Sequence, residues 1–160
     1  MKKQLLMKPE KCTGCRSCEI ICSFNRGKSF NPKNSAVSVM SYEEAMVSVP
    51  VMCLQCEQAA CISACPVGAM YRDKDGTVKN NSAKCIVCKL CVGACPLGNV
   101  TFSAAEKKIV KCELCGGDPL CAKYCPSGCL VYSDEADLLG RKKAIGLALK
   151  NVYGQEEAKQ

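Results

Sequence analysis

The chain contains no histidine and no tryptophan, and aromatic residues make up only 5% of it. Without imidazole, the commonest general base and a common metal ligand are both excluded. So few large side chains leave 160 residues short of a conventional core, a deficit that small cysteine-rich domains make up with crosslinks or metal. No apolar run approaches the roughly 18 residues of a membrane span. The short stretch Leu5-Leu6-Met7 is closed by Lys8 and Pro9, which is no secretory core, and no twin-arginine pair precedes it. A cytoplasmic chain with no direct membrane span is therefore expected. There is no G-x-G-x-x-G, P-loop or nucleophile elbow. Nor is there a basic stripe interleaved with aromatics, so no nucleic-acid partner is expected.

What the chain has is cysteine, seventeen in all. Sixteen fall into four groups: Cys12, Cys15, Cys18, Cys22; Cys53, Cys56, Cys61, Cys65; Cys85, Cys88, Cys91, Cys95; and Cys112, Cys115, Cys121, Cys125. Every group ends in C-x3-C, and Pro66, Pro96 and Pro126 follow three of the four closing cysteines. A C-x2-C-x2-C-x3-C-P run is the thiolate spacing of a cubane 4Fe–4S cluster, with three local ligands and the fourth reaching a neighbouring cluster. Four such runs predict about four 4Fe–4S clusters and electron transfer as the chemistry. Disulfides compete poorly in a cytoplasmic chain. Zinc sites favour two C-x2-C halves separated by a long gap, whereas three cysteines crowd into seven residues in groups one and three.

The formal charge of +7 changes sign once clusters are counted. Sixteen thiolates and four oxidised cores of charge +2 bring it to about −1. The lysine excess therefore reads as compensation for cluster charge. Lys11, Lys84 and Lys111 each stand immediately before the first cysteine of a group, and Met52 holds that place in the second. Such lysines raise reduction potential by stabilising the reduced state, unless solvent screens them.

The last three groups continue as C-P-x-G-x-apolar: Cys65-Pro66-Val67-Gly68-Ala69-Met70, Cys95-Pro96-Leu97-Gly98-Asn99-Val100 and Cys125-Pro126-Ser127-Gly128-Cys129-Leu130. Proline and glycine supply a sharp exit, and the apolar residue starts a strand. The spare thiol, Cys129, aligns with Ala69 and Asn99, which cannot bind iron, so it reads as a small buried spacer. Hairpins are predicted at Ala69–Tyr71 with Thr77-Val78 around the Asp75-Gly76 turn, and at Val100–Phe102 with Lys108–Val110. A third is predicted from Val37 and Val39 with Val47, Val49 and Val51. The C-x3-C steps suit single helical turns. Asn25–Ser35 reads as an exposed loop. In the tail, Leu138, Leu139, Ile145, Leu149 and Val152 recur at helical spacing.

The fourth cysteine of each run points away from its own loop and ties two runs into a pair. Sequence alone does not fix which runs pair. The gap from Cys65 to Cys85 suits one hairpin, favouring groups two and three and leaving one with four.

These motifs, from Leu5 to Tyr132, resemble the four-cluster ferredoxin-like subunits of molybdenum, tungsten and nickel oxidoreductases. Among these are the electron-transfer subunits of dimethyl sulfoxide reductase, formate dehydrogenase and formate hydrogenlyase. The resemblance implies an α+β fold of two ferredoxin-like modules, one inserted in the other. Residues 1–48 with 104–132 would form the outer module, 49–103 the inserted one and 133–160 a helical tail. It also implies the ligand sets. The outer clusters would use Cys12, Cys15, Cys18 with Cys125, and Cys112, Cys115, Cys121 with Cys22. The inner ones would use Cys53, Cys56, Cys61 with Cys95, and Cys85, Cys88, Cys91 with Cys65.

The compact string from Lys111 to Pro119 looks most like small subunits of tungsten enzymes of the aldehyde ferredoxin oxidoreductase type, including aldehyde oxidoreductases and tungsten benzoyl-CoA reductases. The implied role is a non-catalytic relay between a large tungsten or molybdenum subunit and an external donor or acceptor, with a further flavin or ferredoxin-type partner. Similar small subunits serve hydrogenase, carbon monoxide dehydrogenase and formate dehydrogenase, and a free-standing polyferredoxin shares the motifs. One departure stands out: Ser23, not proline, follows Cys22.

Overall fold

The computed structural model describes residues 3–133; the predicted tail helix lies outside them. Among the described residues, eight short strands form four separate antiparallel pairs. β1 (Gln4–Met7) pairs with β8 (Leu130–Ser133), joining opposite ends of the described chain in the register Met7 to Leu130. The other three pairs are local hairpins: β2 (Val37–Tyr42) with β3 (Val47–Met52), β4 (Met70–Arg72) with β5 (Val78–Asn80), and β6 (Val100–Ser103) with β7 (Lys108–Lys111). All three expected hairpins form. The Asp75-Gly76 turn closes the second, with Thr77 N–H donating to Asp75 Oδ1 at 2.8 Å.

Of the four α-helices among the described residues, three are single turns: α2 (Ala60–Ser63), α3 (Leu90–Gly93) and α4 (Leu120–Lys123). Each carries the third cysteine of its group and stops just before the fourth. The following proline enforces the stop, because the residue before proline is driven out of helical dihedrals. α1 (Ser17–Gly27) has no such stop. Ser23, fully buried, donates its Oγ to Ile20 O at 2.8 Å, and the helix continues for eleven residues to a left-handed cap at Lys28. The predicted exposed loop from Asn25 is corrected accordingly. Its first part belongs to α1, and Asn34, at the end of the 3₁₀ turn Pro32–Asn34, is buried.

The apolar side chains form two cores. One gathers Leu5, Met7, Val37, Val39, Val49, Met52, Leu114 and Leu130 with Cys18 and Cys121. The other gathers Ala59, Met70, Val78, Val100 and Ile109 with Cys91. Helix α1 packs against α4 beside the first, and α2 against α3 beside the second. Cysteines thus sit among the buried hydrophobes, where larger side chains would otherwise be needed.

Candidate functional site

All four cysteine loops share one backbone device. The residue just before the second cysteine is left-handed in each: Gly14 (φ 69°), Gln55 (52°), Val87 (57°) and Leu114 (55°). Only one is glycine, and a β-branched residue such as Val87 enters this region at a steric cost. The same departure in four loops marks a constraint of function. A left-handed residue in such a loop helps turn successive N–H groups to one side, forming the kind of concavity that holds anions and iron–sulfur groups. The second cysteines, Cys15, Cys56, Cys88 and Cys115, are exposed, whereas Cys18, Cys91 and Cys121 are buried.

The closing cysteines have cradles of their own. Ala69 and Met70 N–H donate to Cys65 Sγ at 3.2 and 3.5 Å, and Asn99 N–H donates to Cys95 Sγ at 3.3 Å. Desolvation acts to raise Cys65, but the amides of Met70, Val67, Ala69 and Gly68 together hold its thiol below the ordinary value. Cys125 is also lowered, as the Leu130, Cys129 and Ser127 amides and the Ser127 hydroxyl outweigh its desolvation. Thus the C-P-x-G turn presents amides to sulfur. Cys22 lacks that turn, and its sulfur accepts instead from Ala36 N–H at 3.3 Å, fourteen residues on.

Thiols from different loops meet around cavities. Cys53, Cys56, Cys61 and Cys95 line one, together with Leu54, Val78 and Lys111. Cys12, Cys15, Cys18 and Cys125 line another, where Cys129 also lies. A third, about 360 Å³, is lined by Cys22, Cys112 and Cys115, with Cys121 in electrostatic contact with all three. Cys91 is likewise close to Cys85, Cys65 and Cys88. Burial pushes Cys18 and Cys112 up to about 12, with neighbouring thiols adding to it. It raises Cys121, Cys61 and Cys91 too. Cys129, 1% exposed, is pushed up to about 12 by burial beside Cys12 and Cys125.

Among the described residues, no three cysteines or carboxylates converge tightly enough to hold a single metal ion. The thiols surround space, with N–H groups aimed at the sulfurs. This donor set fits 4Fe–4S cubanes.

The fold also supports these loops from outside. Arg72 donates to Cys56 O at 2.6 Å, Glu57 O at 2.8 Å and Gly76 O at 2.8 Å, pinning the second loop to its hairpin. Glu19, buried in the first turn of α1, accepts from Val39 N–H at 2.6 Å. The lysines before the cysteine groups part company: Lys11 and Lys84 are exposed, while Lys111 is 1% exposed. Arg72, Glu19 and the burial of Lys111 had no local sequence signal. Cys22 did have one, in the serine that follows it.

Residues 44–135 match the family described as a 4Fe-4S dicluster domain, and residues 9–25 match a 4Fe-4S binding domain. The chain belongs to the 4Fe–4S dicluster family. The polyferredoxin-like subunit of aliphatic sulfonate oxidoreductase from Pyrococcus furiosus is 39% identical over 122 residues, 76% of this chain and 70% of that protein. The thiosulfate reductase electron transfer subunit PhsB of Salmonella typhi is 31% identical over 171 residues, 97% of this chain and 86% of its own. In the active site complex BamBC of benzoyl coenzyme A reductase with benzoyl-CoA, one chain superposes with a TM-score of 0.50. That match has 27% identity and covers 90% of this chain and 89% of that one. This dicluster chain is an electron-transfer iron–sulfur subunit with a small α+β fold of short helices and hairpins. Among its described residues no helix is long and apolar enough to cross a membrane.

Proposed function

We propose that this is a four-cluster relay subunit, working between a large catalytic oxidoreductase subunit and an external electron donor or acceptor. The observation that carries it is the fourfold recurrence of the left-handed residue before an exposed cysteine. The proposed ligand sets are Cys12, Cys15, Cys18, Cys125; Cys112, Cys115, Cys121, Cys22; Cys53, Cys56, Cys61, Cys95; and Cys85, Cys88, Cys91, Cys65. Support comes from the cavities these thiols line and from the packing of α1 on α4 and α2 on α3. The two separate cores support two modules, one nested within the other, with β3 and β7 lying at the joins.

When bound, the clusters accept and release one electron each at fixed positions. The residues hold those positions. Nested amides offset thiolate charge, buried Cys18, Cys91 and Cys121 with their apolar neighbours exclude water, and shared fourth cysteines fix the spacing within each pair. Cys18 lies near Cys121 and Cys112 near Cys53, which supports a linear order with the Cys15 and Cys88 loops at its two ends. No group for chemistry on a substrate is needed.

The proposed partner is a tungsten subunit of the aldehyde ferredoxin oxidoreductase type. The likeness to a chain of BamBC of benzoyl coenzyme A reductase supports this choice, because the sequence resembles the small subunits of tungsten benzoyl-CoA reductases. Anaerobic purification from the native host tests the whole reading. It should return about sixteen iron and sixteen sulfide per chain, four one-electron steps in a dithionite titration, and a large tungsten-containing partner. Recovery of the chain alone would make it a free polyferredoxin, and nickel or molybdenum in the partner would replace the tungsten assignment. Colourless protein holding zinc would end the electron-transfer reading.

A further inference from the structure

Lys111 is the most deeply buried charged side chain among the described residues. Its Nζ donates to Val78 O at 2.6 Å, to Cys112 O at 2.8 Å and to Gln55 Oε1 at 3.5 Å. Gln55 is held in turn, since its Nε2 donates to the same Cys112 O at 2.8 Å and its Oε1 accepts from Val78 N–H at 2.9 Å. The ammonium therefore sits in an oxygen cage that joins the second cysteine loop, strand β5 and the first cysteine of the fourth loop. From the other side, Arg26 donates to Lys111 O at 2.8 Å.

The cage holds three neutral oxygens and no anion. Among the described residues no carboxylate forms an ion pair with Lys111. A buried charge without a counterion is costly, so an opposite charge nearby stabilises it strongly. Lys111 lines the cavity of Cys53, Cys56, Cys61 and Cys95, where negative charge would gather. Its counterparts Lys11 and Lys84 face solvent, where screening removes most of such an effect.

We propose that Lys111 is a fixed positive charge that makes the centre held by Cys53, Cys56, Cys61 and Cys95 easier to reduce, with a smaller effect on the centre that includes Cys112. This rests on the four-cluster reading. One electron enters from the adjacent centre and leaves to the next, while no bond is made and no proton moves. The buried ammonium stabilises the state carrying the extra negative charge. Lys111 is a tuning residue at the junction of the two cores, and touches no substrate.

The test is an EPR-monitored redox titration of the intact protein as Lys111→Gln, Lys111→Arg and Lys84→Gln variants, with iron and sulfide measured on each. Gln keeps an N–H donor for the carbonyls but removes the charge. It should shift one or two of the reduction steps downward by about tenfold in equilibrium constant, about 59 mV for a one-electron couple, at both low and high salt. Lys111→Arg and Lys84→Gln should leave all steps near the wild type. Full iron with every step unmoved in Lys111→Gln overturns the proposal. So does loss of iron in both Lys111 variants, which would make the role one of shape. Loss of iron in Lys111→Gln alone supports it, because the charge is then needed to hold the centre. Wild-type protein without iron would instead refute the four-cluster reading.

Discussion

Asn34 and Glu106 stand 72 positions apart, yet Asn34 Nδ2 donates to Glu106 Oε1 at 2.8 Å. Asn34 Oδ1 accepts from Ser103 Oγ, also at 2.8 Å. A buried amide following α1 thus clasps the turn between β6 and β7, tying the side of the first core to the hairpin of the second. Replacing Asn34 with Leu should leave the Ser103 hydroxyl without its acceptor and Glu106 Oε1 without the Asn34 donor, and cost about 1–3 kcal/mol. Thermal melting of the iron-loaded protein should register the loss, with iron content unchanged.

Gly14 is the one glycine among the four left-handed residues that precede a second cysteine. A Cβ there would stand 2.8 Å from Ser48 Oγ, on a backbone at φ 69°. Gly14→Ala should cost about 1–2 kcal/mol from the left-handed backbone alone, with the clash added. The double variant Gly14→Ala/Ser48→Ala should recover the clash but not the backbone cost. Equal melting of the single and double variants would show that Ser48 gives way freely.

Glu19 completes the β2 edge by accepting from Val39 N–H. Glu19→Leu should strand that buried donor and cost about 1–3 kcal/mol, while Glu19→Gln keeps an acceptor and should cost less. Amide exchange at Val39 checks the mechanism directly, since only Leu should expose that proton.

Six described cysteines are raised and three, Cys15, Cys65 and Cys125, are lowered, so the raised thiols set the sign of the iron-free chain's pH dependence. Burial raises Cys18 and Cys112 from 9.0 to about 12 in the folded state, so the folded form holds protons that the unfolded form has released. That contribution to stability is full below about pH 9 and lost as pH rises toward about 12. Urea titrations of iron-free protein at pH 8 and pH 10 should give a lower midpoint at the higher pH. Iron loading at pH 8 should also release protons, and buffers of different ionisation enthalpy measure how many.

Much of the fold was legible because its signals are local. Proline and glycine after Cys65, Cys95 and Cys125 announced three sharp exits, and alternating valines announced β2 and β3. The pairing of β1 with β8 was not legible, since nothing near Leu5 names a partner across the chain. The length of α1 had a signal in Ser23, which lifts the stop that proline imposes elsewhere. Left-handed Gln55, Val87 and Leu114 carried no signal, because loop shape rather than residue preference sets their dihedrals. Lys111 looks like Lys11 and Lys84 in sequence, and only the Gln55 cage separates them.

The β1–β8 pair has a consequence for how the molecule is made. Gln4 waits for Ser133, so on a ribosome adding about 5–20 residues per second the first core stays open for roughly 6 to 25 s. The hairpins of the second core are complete by Lys111 and can close earlier. Birth therefore proceeds from the inside outward, with the N-terminal cysteines left bare the longest and most in need of an escort.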